Sequence, residues 1–283
     1  GLMEEGLRPG DRVVAILENG VDYAAAYWAC QKAGAVWVAL NTQITADLVA
    51  YHVNDSEAEI LLCHPFLLRA VSRAVDRCPG LRLVVVAGRA APERLGGRPV
   101  RLLDDLATAP PRRPPRTRGA EELATIIYTS GTTGKPKGVM LSSANLVANT
   151  ESIVSYLRLT EEDRVLCVLS FFYSYGNSLL LTHASAGGVV VVDNRFIYPN
   201  LVLETMAREA CTGFSGVPSH FVILLNRSSF GEMTFPRLRY VTQAGGPMAP
   251  VVQARLRELL PGAEIFIMYG QTEASARLTY LPP

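Results

Sequence analysis

The 283-residue sequence predicts an α/β fold of two packed βαβ-type subdomains, with mainly parallel sheets covered by helices. Three observations carry this expectation. Short β-branched runs alternate with longer helical stretches along most of the chain. Those runs are continuously apolar rather than alternating, as expected of parallel strands covered on both faces. Hydrophobic residues make up 49% and charged residues 19%, against a usual charged share of roughly 25%, so a sizeable core can form.

The elements follow in order. Val13 to Leu17 reads as a buried strand, and Tyr23 to Lys32 as a helix closed by Gly34, since glycine takes the left-handed cap conformation at little cost. Val36 to Leu40 is the next strand and Thr45 to Val53 the next helix. Glu59 to Cys63 is a strand, Phe66 to Arg77 a helix and Leu83 to Val86 a strand. The stretch Ala107 to Gly119 (ATAPPRRPPRTRG) then interrupts with four prolines and four arginines. Proline fixes φ and lacks an N–H donor, so this reads as a solvated loop. The alternation resumes with a strand at Leu123 to Tyr128 and a helix at Ser142 to Tyr156. Arg164 to Leu169 is a strand, Asn177 to Ala186 a helix and Val189 to Val192 a buried strand. Leu201 to Ala210, Ser219 to Asn226 and Val251 to Leu259 read as helices, Leu238 to Thr242 and Glu264 to Met268 as strands. The first subdomain is expected over residues 1–157, the second over 158–283.

The totals exclude several function classes. A formal net charge of +1 gives no field for nucleic acid or an anionic membrane. Cys30, Cys63, Cys78, Cys167 and Cys211 form no CxxC pair, which fits reduced buried thiols in a cytoplasmic protein. His52, His64, His183 and His220 stand at no zinc-ligand spacing. The N-terminus shows no basic region followed by an apolar one, so no signal peptide is visible in it. The most apolar stretch, Leu179 to Val192, is broken by His183 and Gly187-Gly188, too soon for a membrane span.

Ligands of open α/β sheets bind beyond the carboxyl ends of the strands. That rule points to the loops after Tyr128, Thr242 and Met268. The first of these, Thr129-Ser130-Gly131-Thr132-Thr133-Gly134-Lys135-Pro136-Lys137-Gly138, holds four hydroxyls, three glycines and two lysines. Glycines bring backbone N–H groups close to a ligand, hydroxyls donate, and lysines supply positive charge. Directly after an apolar strand and before a helix, this is a cradle for a polyphosphate. It is not a G-x-x-x-x-G-K-[ST] loop: Thr129 stands five residues before Gly134, and Pro136 follows Lys135.

The run YTSGTTGKPKGV resembles the phosphate-binding motif of the AMP-forming acyl-CoA synthetase, adenylation-domain and luciferase superfamily. The resemblance extends upstream, where GLRPGDRVVAILENGVDYAAAYWACQKAGAVWVALN looks like that family's early region, and downstream almost to the last residue. It implies the N-terminal domain of such an enzyme, truncated.

Tyr269-Gly270-Gln271-Thr272-Glu273 closes an apolar strand. A glutamate there suits Mg²⁺, which takes few protein carboxylates alongside phosphate oxygens; taken alone, Thr272 and Glu273 suit a helix cap equally well. The resemblance implies that Thr272 contacts phosphate, Glu273 holds Mg²⁺ and Tyr269 packs near the adenine. It also assigns adenine and acyl contacts to Gly245, Gly246 and Pro247, which alone would read as a turn. Ser170-Phe171-Phe172-Tyr173-Ser174-Tyr175-Gly176 resembles the family's aromatic gate, with Phe172, Tyr173, Tyr175 and Gly176 in the substrate pocket. Many members carry proline first and histidine where Tyr173 stands, so a role needing a titratable imidazole is in doubt here. Val217, Pro218 and Ser219 resemble another pocket wall.

By resemblance, the reaction is attack of a carboxylate on the α-phosphate of ATP, giving an acyl-adenylate and pyrophosphate, then transfer to coenzyme A or a carrier protein's pantetheine thiol. No covalent protein nucleophile is needed, and no G-x-S-x-G elbow is found. Catalysis then rests on positioning and charge, with Lys137, Thr272 and Glu273 as the catalytic set. Three readings stand open: an acyl- or aryl-CoA ligase, favoured by the YGQTE form; an adenylation domain loading an acyl carrier protein; and a non-catalytic nucleotide-binding module. The family's ribose-binding aspartate, hinge and C-terminal domain with its lysine follow the YG-x-TE motif, whereas this sequence ends at Pro283. The expectation is a fragment that binds ATP weakly and adenylates poorly or not at all.

Overall fold

A computed structural model describes residues 1–110, 118–130 and 134–283. Most of the proline- and arginine-rich loop, and Gly131, Thr132 and Thr133 of the predicted cradle, therefore lie outside the described residues. The chain divides into two compact units, residues 1–144 and 145–283.

The first unit follows the predicted alternation: β1 (Arg12–Ile16), α1 (Val21–Ala33), β2 (Val36–Ala39), α2 (Ala46–Asp55), β3 (Ala58–Cys63), α3 (Leu68–Val75) and β4 (Leu83–Val86). Beyond them come β5 (Arg94–Leu95), β6 (Arg98–Leu102), α4 (Leu103–Ala107), β7 (Leu123–Thr129) and β8 (Lys137–Ser142). The sheet runs β5-β6-β4-β3-β1-β2-β7-β8. Its inner pairs are parallel, and both outermost pairs are antiparallel. Gly34 ends α1 at φ 78°, and the Thr45 hydroxyl accepts from Leu48 N at 3.4 Å to cap α2. Val14, Ile16, Leu61 and Val84 pack with Val49 and Val53 of α2 and Val71 and Val75 of α3. Each such burial is worth about 2 kcal/mol. Trp37 Nε1 donates to Tyr23 OH at 3.1 Å, so the largest buried ring keeps no orphan donor.

One element was not expected. Between the cradle loop and the helix, which is predicted from Ser142 and observed from Ser143, the chain turns back as β8, pairing Thr129 with Lys137 and Tyr128 with Gly138. Gly138 makes this close pairing possible: a Cβ there would fall 2.7 Å from Ile126 Cγ2 and 3.3 Å from the Tyr128 ring. Lys137 of the predicted cradle thus opens a strand of a hairpin.

The second unit takes in most of α5 (Ser143–Leu157), then β9 (Arg164–Cys167), α6 (Ser174–Ala186), β10 (Val189–Val192), α7 (Pro199–Arg208) and β11 (Gly213–Gly216). It continues with α8 (Pro218–Arg227), β12 (Tyr240–Gln243), α9 (Pro250–Leu259), β13 (Glu264–Tyr269) and β14 (Thr279–Leu281). The sheet order is β10-β9-β11-β12-β13-β14, parallel except for the last pair. Proline opens α7, α8 and α9, where its missing N–H is no loss. The units divide at Ala144, not after residue 157: Ile153 and Leu157 of α5 pack with Tyr240, Phe266 and Met268.

Two further differences have physical reasons. The Gly-Phe-Ser-Gly run of β11 carries no strand pattern, yet it lies inside the sheet. The Tyr240 ring fills the space beside Gly213, where a Cβ would fall 2.0 Å from Tyr240 Cζ. The four-valine run of β10, expected to be buried, is an edge strand, with Val189 exposed and the other three partly so.

Candidate active site

Within the second unit, a cavity of about 360 Å³ opens past the carboxyl ends of β9, β11, β12 and β13. Its walls come from four connections: Leu169–Gly176 after β9, Val217 after β11, Ala244-Gly245 after β12 and Gly270–Thr272 with Ala276-Arg277 after β13. This is the position the strand-end rule selects.

Glycines let these segments approach. A Cβ on Gly176 would fall 2.1 Å from the Ser170 carbonyl oxygen, and one on Gly270 would fall 1.7 Å from that of Ala276. Gly245 takes φ 87°, and the buried Gln243 amide donates to Gly246 O at 2.7 Å, which holds the Gly-Gly turn open. Beneath the cavity, hydroxyls form a chain. Thr242 Oγ1 lies 2.7 Å from Ser215 Oγ and 2.8 Å from Tyr175 OH. Burial raises the Tyr175 phenol, so it stays a neutral donor and acceptor. At the rim, Ser174 Oγ lies 3.4 Å from Thr272 Oγ1.

Thr272 starts a single 3-10 turn, Thr272–Ala274, which ends on Ser275 in the left-handed region at φ 73°. Glu273 stands exposed on this turn, with no ion pair or hydrogen bond among the described residues. Of the predicted residues, Tyr173, Tyr175, Gly176, Val217, Gly245, Gly270, Gln271 and Thr272 line the cavity. Phe172, Pro218, Ser219, Gly246, Pro247, Tyr269 and Glu273 do not. Phe172 packs on the exposed Tyr173 ring at 4.3 Å between centroids, and Tyr269 points largely to solvent.

The sequence reading missed Ser174 and Arg277. Arg277 lines the cavity, is 6% exposed and stacks its guanidinium 5.0 Å from the Tyr175 ring centroid. Its one sequence signal is being the lone charge in the run that follows Glu273.

In the first unit, Thr129, Ser130, Gly134, Lys135 and Lys137 sit at the end of the β7–β8 hairpin where the chain passes from one strand to the other. Gly134 takes φ 91°, and Ser130, Lys135 and Lys137 are exposed. Neither lysine has an acidic partner among the described residues. Tyr51 OH donates to Pro136 O at 2.8 Å and Tyr128 OH to Asp55 Oδ2 at 2.6 Å, tying the hairpin to α2. The five cysteines form no disulfide and are buried, and burial pushes Cys30, Cys63 and Cys167 up to about 12, which leaves them inert. Among the described residues, no three His, Cys, Asp or Glu side chains converge as a metal site. No described helix is long and apolar enough to cross a membrane.

A sequence profile of AMP-binding enzymes matches residues 1–283. The chain belongs to the AMP-binding enzyme family. It is 32% identical over 286 residues to 4-coumarate–CoA ligase 5 of Oryza sativa subsp. japonica, covering 99% of this chain and 51% of that protein. It is 28% identical over 283 residues to oxalate–CoA ligase of Arabidopsis thaliana, covering 99% and 54%. The structure of ATP-bound MatB from Rhodopseudomonas palustris matches with a TM-score of 0.83 at 30% identity, over 99% of this chain and 53% of that one. The chain spans about half the length of the curated relatives it matches. Its two mainly parallel sheets flanked by helices are those of the family's N-terminal domain.

Proposed function

We propose that residues 1–283 form the nucleotide- and acid-binding part of an ATP-dependent ligase, which activates a carboxylic acid as its acyl-adenylate and passes the acyl group to coenzyme A. The observation that carries this reading is the strand-end cavity of an AMP-binding family member, in which the motif threonine Thr272 meets Ser174. Relatives named as CoA ligases support coenzyme A as the thiol. Their named acids, one aromatic and one a dicarboxylate, leave the substrate open.

The residues fit the nucleotide. Gly176, Gly245 and Gly270 bring backbone against the cavity without side chains. Among the described residues, Lys135 and Lys137 have no acidic partner and the exposed Glu273 carboxylate is unpaired. In the reaction, an oxygen of the acid forms a bond to the α-phosphorus while the bond to the bridging oxygen breaks and pyrophosphate leaves. The two lysines, with the hydroxyls of Thr129 and Ser130, hold the phosphate tail. Thr272 and Ser174 donate to oxygens that gain charge, where a preorganised donor is worth most. Glu273 would hold Mg²⁺, which supplies charge neutralisation on the phosphates. Tyr173, Tyr175, Gly176 and Val217 would flank the acid. Free buried thiols suit a reducing compartment such as the cytoplasm.

Titration calorimetry of the 283-residue chain with ATP and Mg²⁺ tests this reading. The expected result is saturable binding that weakens about tenfold in Lys137→Ala, roughly 1.4 kcal/mol. A chain that is folded and does not bind ATP would end it.

A further inference from the structure

Arg277 is the one charged side chain among the described residues that line the cavity. It is 6% exposed, and no carboxylate lies within ion-pair distance of it among the described residues. Its contacts are neutral: Nη2 donates to Ser178 Oγ at 3.2 Å, Nη1 to Tyr156 OH at 3.4 Å and, weakly, to Met268 Sδ at 3.9 Å. Nε is buried with no hydrogen-bond partner. Elsewhere in this unit, buried charge is neutralised. Asp163 is held by Arg239 at 2.7 Å, and Asp193 by Arg195 at 2.7 Å.

Removing a guanidinium from water costs several kcal/mol unless an anion repays it. Stacking on Tyr175 returns only part of that. Five N–H donors against three weak neutral acceptors leave the group short of partners. A methionine or leucine would fill the same space without that cost. The cavity is therefore built around a positive charge whose counter-ion is not supplied by the described protein.

We propose that Arg277 selects a small dicarboxylic acid, pairing with the carboxylate that is not activated. This rests on the acid-activating reading above and names the substrate class of the same cavity. The guanidinium presents a planar fork that matches a carboxylate. A site built for that charge rejects an analogue lacking it, because the buried donors are then left unpaired. A monocarboxylic acid of equal length would put a methyl group against a buried cation.

The test is titration calorimetry on the 283-residue chain saturated with ATP and Mg²⁺. Malonate, succinate and glutarate are compared with propionate, butyrate and valerate, in the wild type and in Arg277→Met and Arg277→Lys. The proposal expects one dicarboxylate to bind at least tenfold more tightly than its monocarboxylate match. It expects that preference to vanish or reverse in Arg277→Met and to survive in part in Arg277→Lys. Thermal unfolding of the variants shows whether they fold; where Arg277→Met does not, the wild-type ratio and Arg277→Lys decide. Equal or tighter binding of every monocarboxylate by the wild type overturns the proposal and leaves acid activation standing. Weakened ATP binding in Arg277→Met, with no preference in the wild type, assigns the guanidinium to the nucleotide and also overturns it. ATP binding with no acid bound at all removes both this proposal and the acid-activating reading.

Discussion

Ser174 Oγ and Thr272 Oγ1 lie 3.4 Å apart, although 98 residues separate them in the sequence. The contact joins the first turn of α6 to the short turn after β13, so two hydroxyls from different strand ends share one edge of the cavity. At this distance they bond weakly to each other and remain available to a third oxygen. In a double-mutant cycle, Ser174→Ala and Thr272→Ala are each expected to weaken ATP binding about fivefold, roughly 1 kcal/mol. The coupling is expected to exceed about 0.5 kcal/mol, because both would address one phosphate. Strict additivity would show that they act on different groups.

Glu273 carries the metal assignment. Its carboxylate is exposed and unpaired among the described residues, so Glu273→Gln is expected to leave the unfolding midpoint within error. The same change is expected to remove the gain in ATP affinity on adding Mg²⁺. Identical Mg²⁺ dependence in the variant and the wild type would move the ion elsewhere.

Gly270 is expected to tolerate no side chain. In Gly270→Ala the new Cβ would fall 1.7 Å from the Ala276 carbonyl oxygen, so the turn that carries Thr272 and Glu273 must shift. The expected loss is about 2–3 kcal/mol in urea unfolding. Gly262→Ala, where nothing lies within 4 Å, is the control and is expected to change stability by less than about 0.5 kcal/mol.

Acid sensitivity is expected from His183. Burial holds its imidazole down to about 4, and it stands between Leu179 O at 3.0 Å and Tyr240 OH at 3.1 Å. The neutral ring satisfies both, with Nδ1–H donating to the carbonyl and Nε2 accepting from the phenol. Its folded value lies below the unfolded value of about 6.5, so its contribution is complete above that pH and is lost as pH falls toward 4. Burial likewise holds His220 at about 4, acting in the same window. Stability is expected to be flat from about pH 8 to 7 and then to fall, by on the order of 3 kcal/mol per histidine at full effect. His183→Gln should be less stable at neutral pH but show a shallower slope below about pH 6.5. An unchanged slope would mean that His183 does not titrate with unfolding.

Much of the architecture was written in local patterns. The runs at β1 to β4 are mostly apolar, Gly34 closes α1 and Thr45 caps α2, so neighbouring residues define much of these elements. β11 was invisible because its glycines are explained only by the Tyr240 ring packed against Gly213. The valines of β10 were misread because its edge position is a property of the sheet order, not of the run. The hairpin after Thr129 was hidden because β8 is held by pairing with β7, a contact that no helical or strand period announces.

By itself, the sequence determined the family. The hydroxyl- and lysine-rich loop and the YGQTE strand end mark it, because the phosphate and metal binding proposed for them would need particular groups in a short stretch of backbone. Tertiary structure alone decided which side chains share the cavity. It joined Ser174 to Thr272, left Phe172 and Ser219 outside, and buried Arg277 over Tyr175 without a counter-ion among the described residues. The physical reason is that charge balance and close approach are set by neighbours far apart in the chain, which spacing along it does not encode.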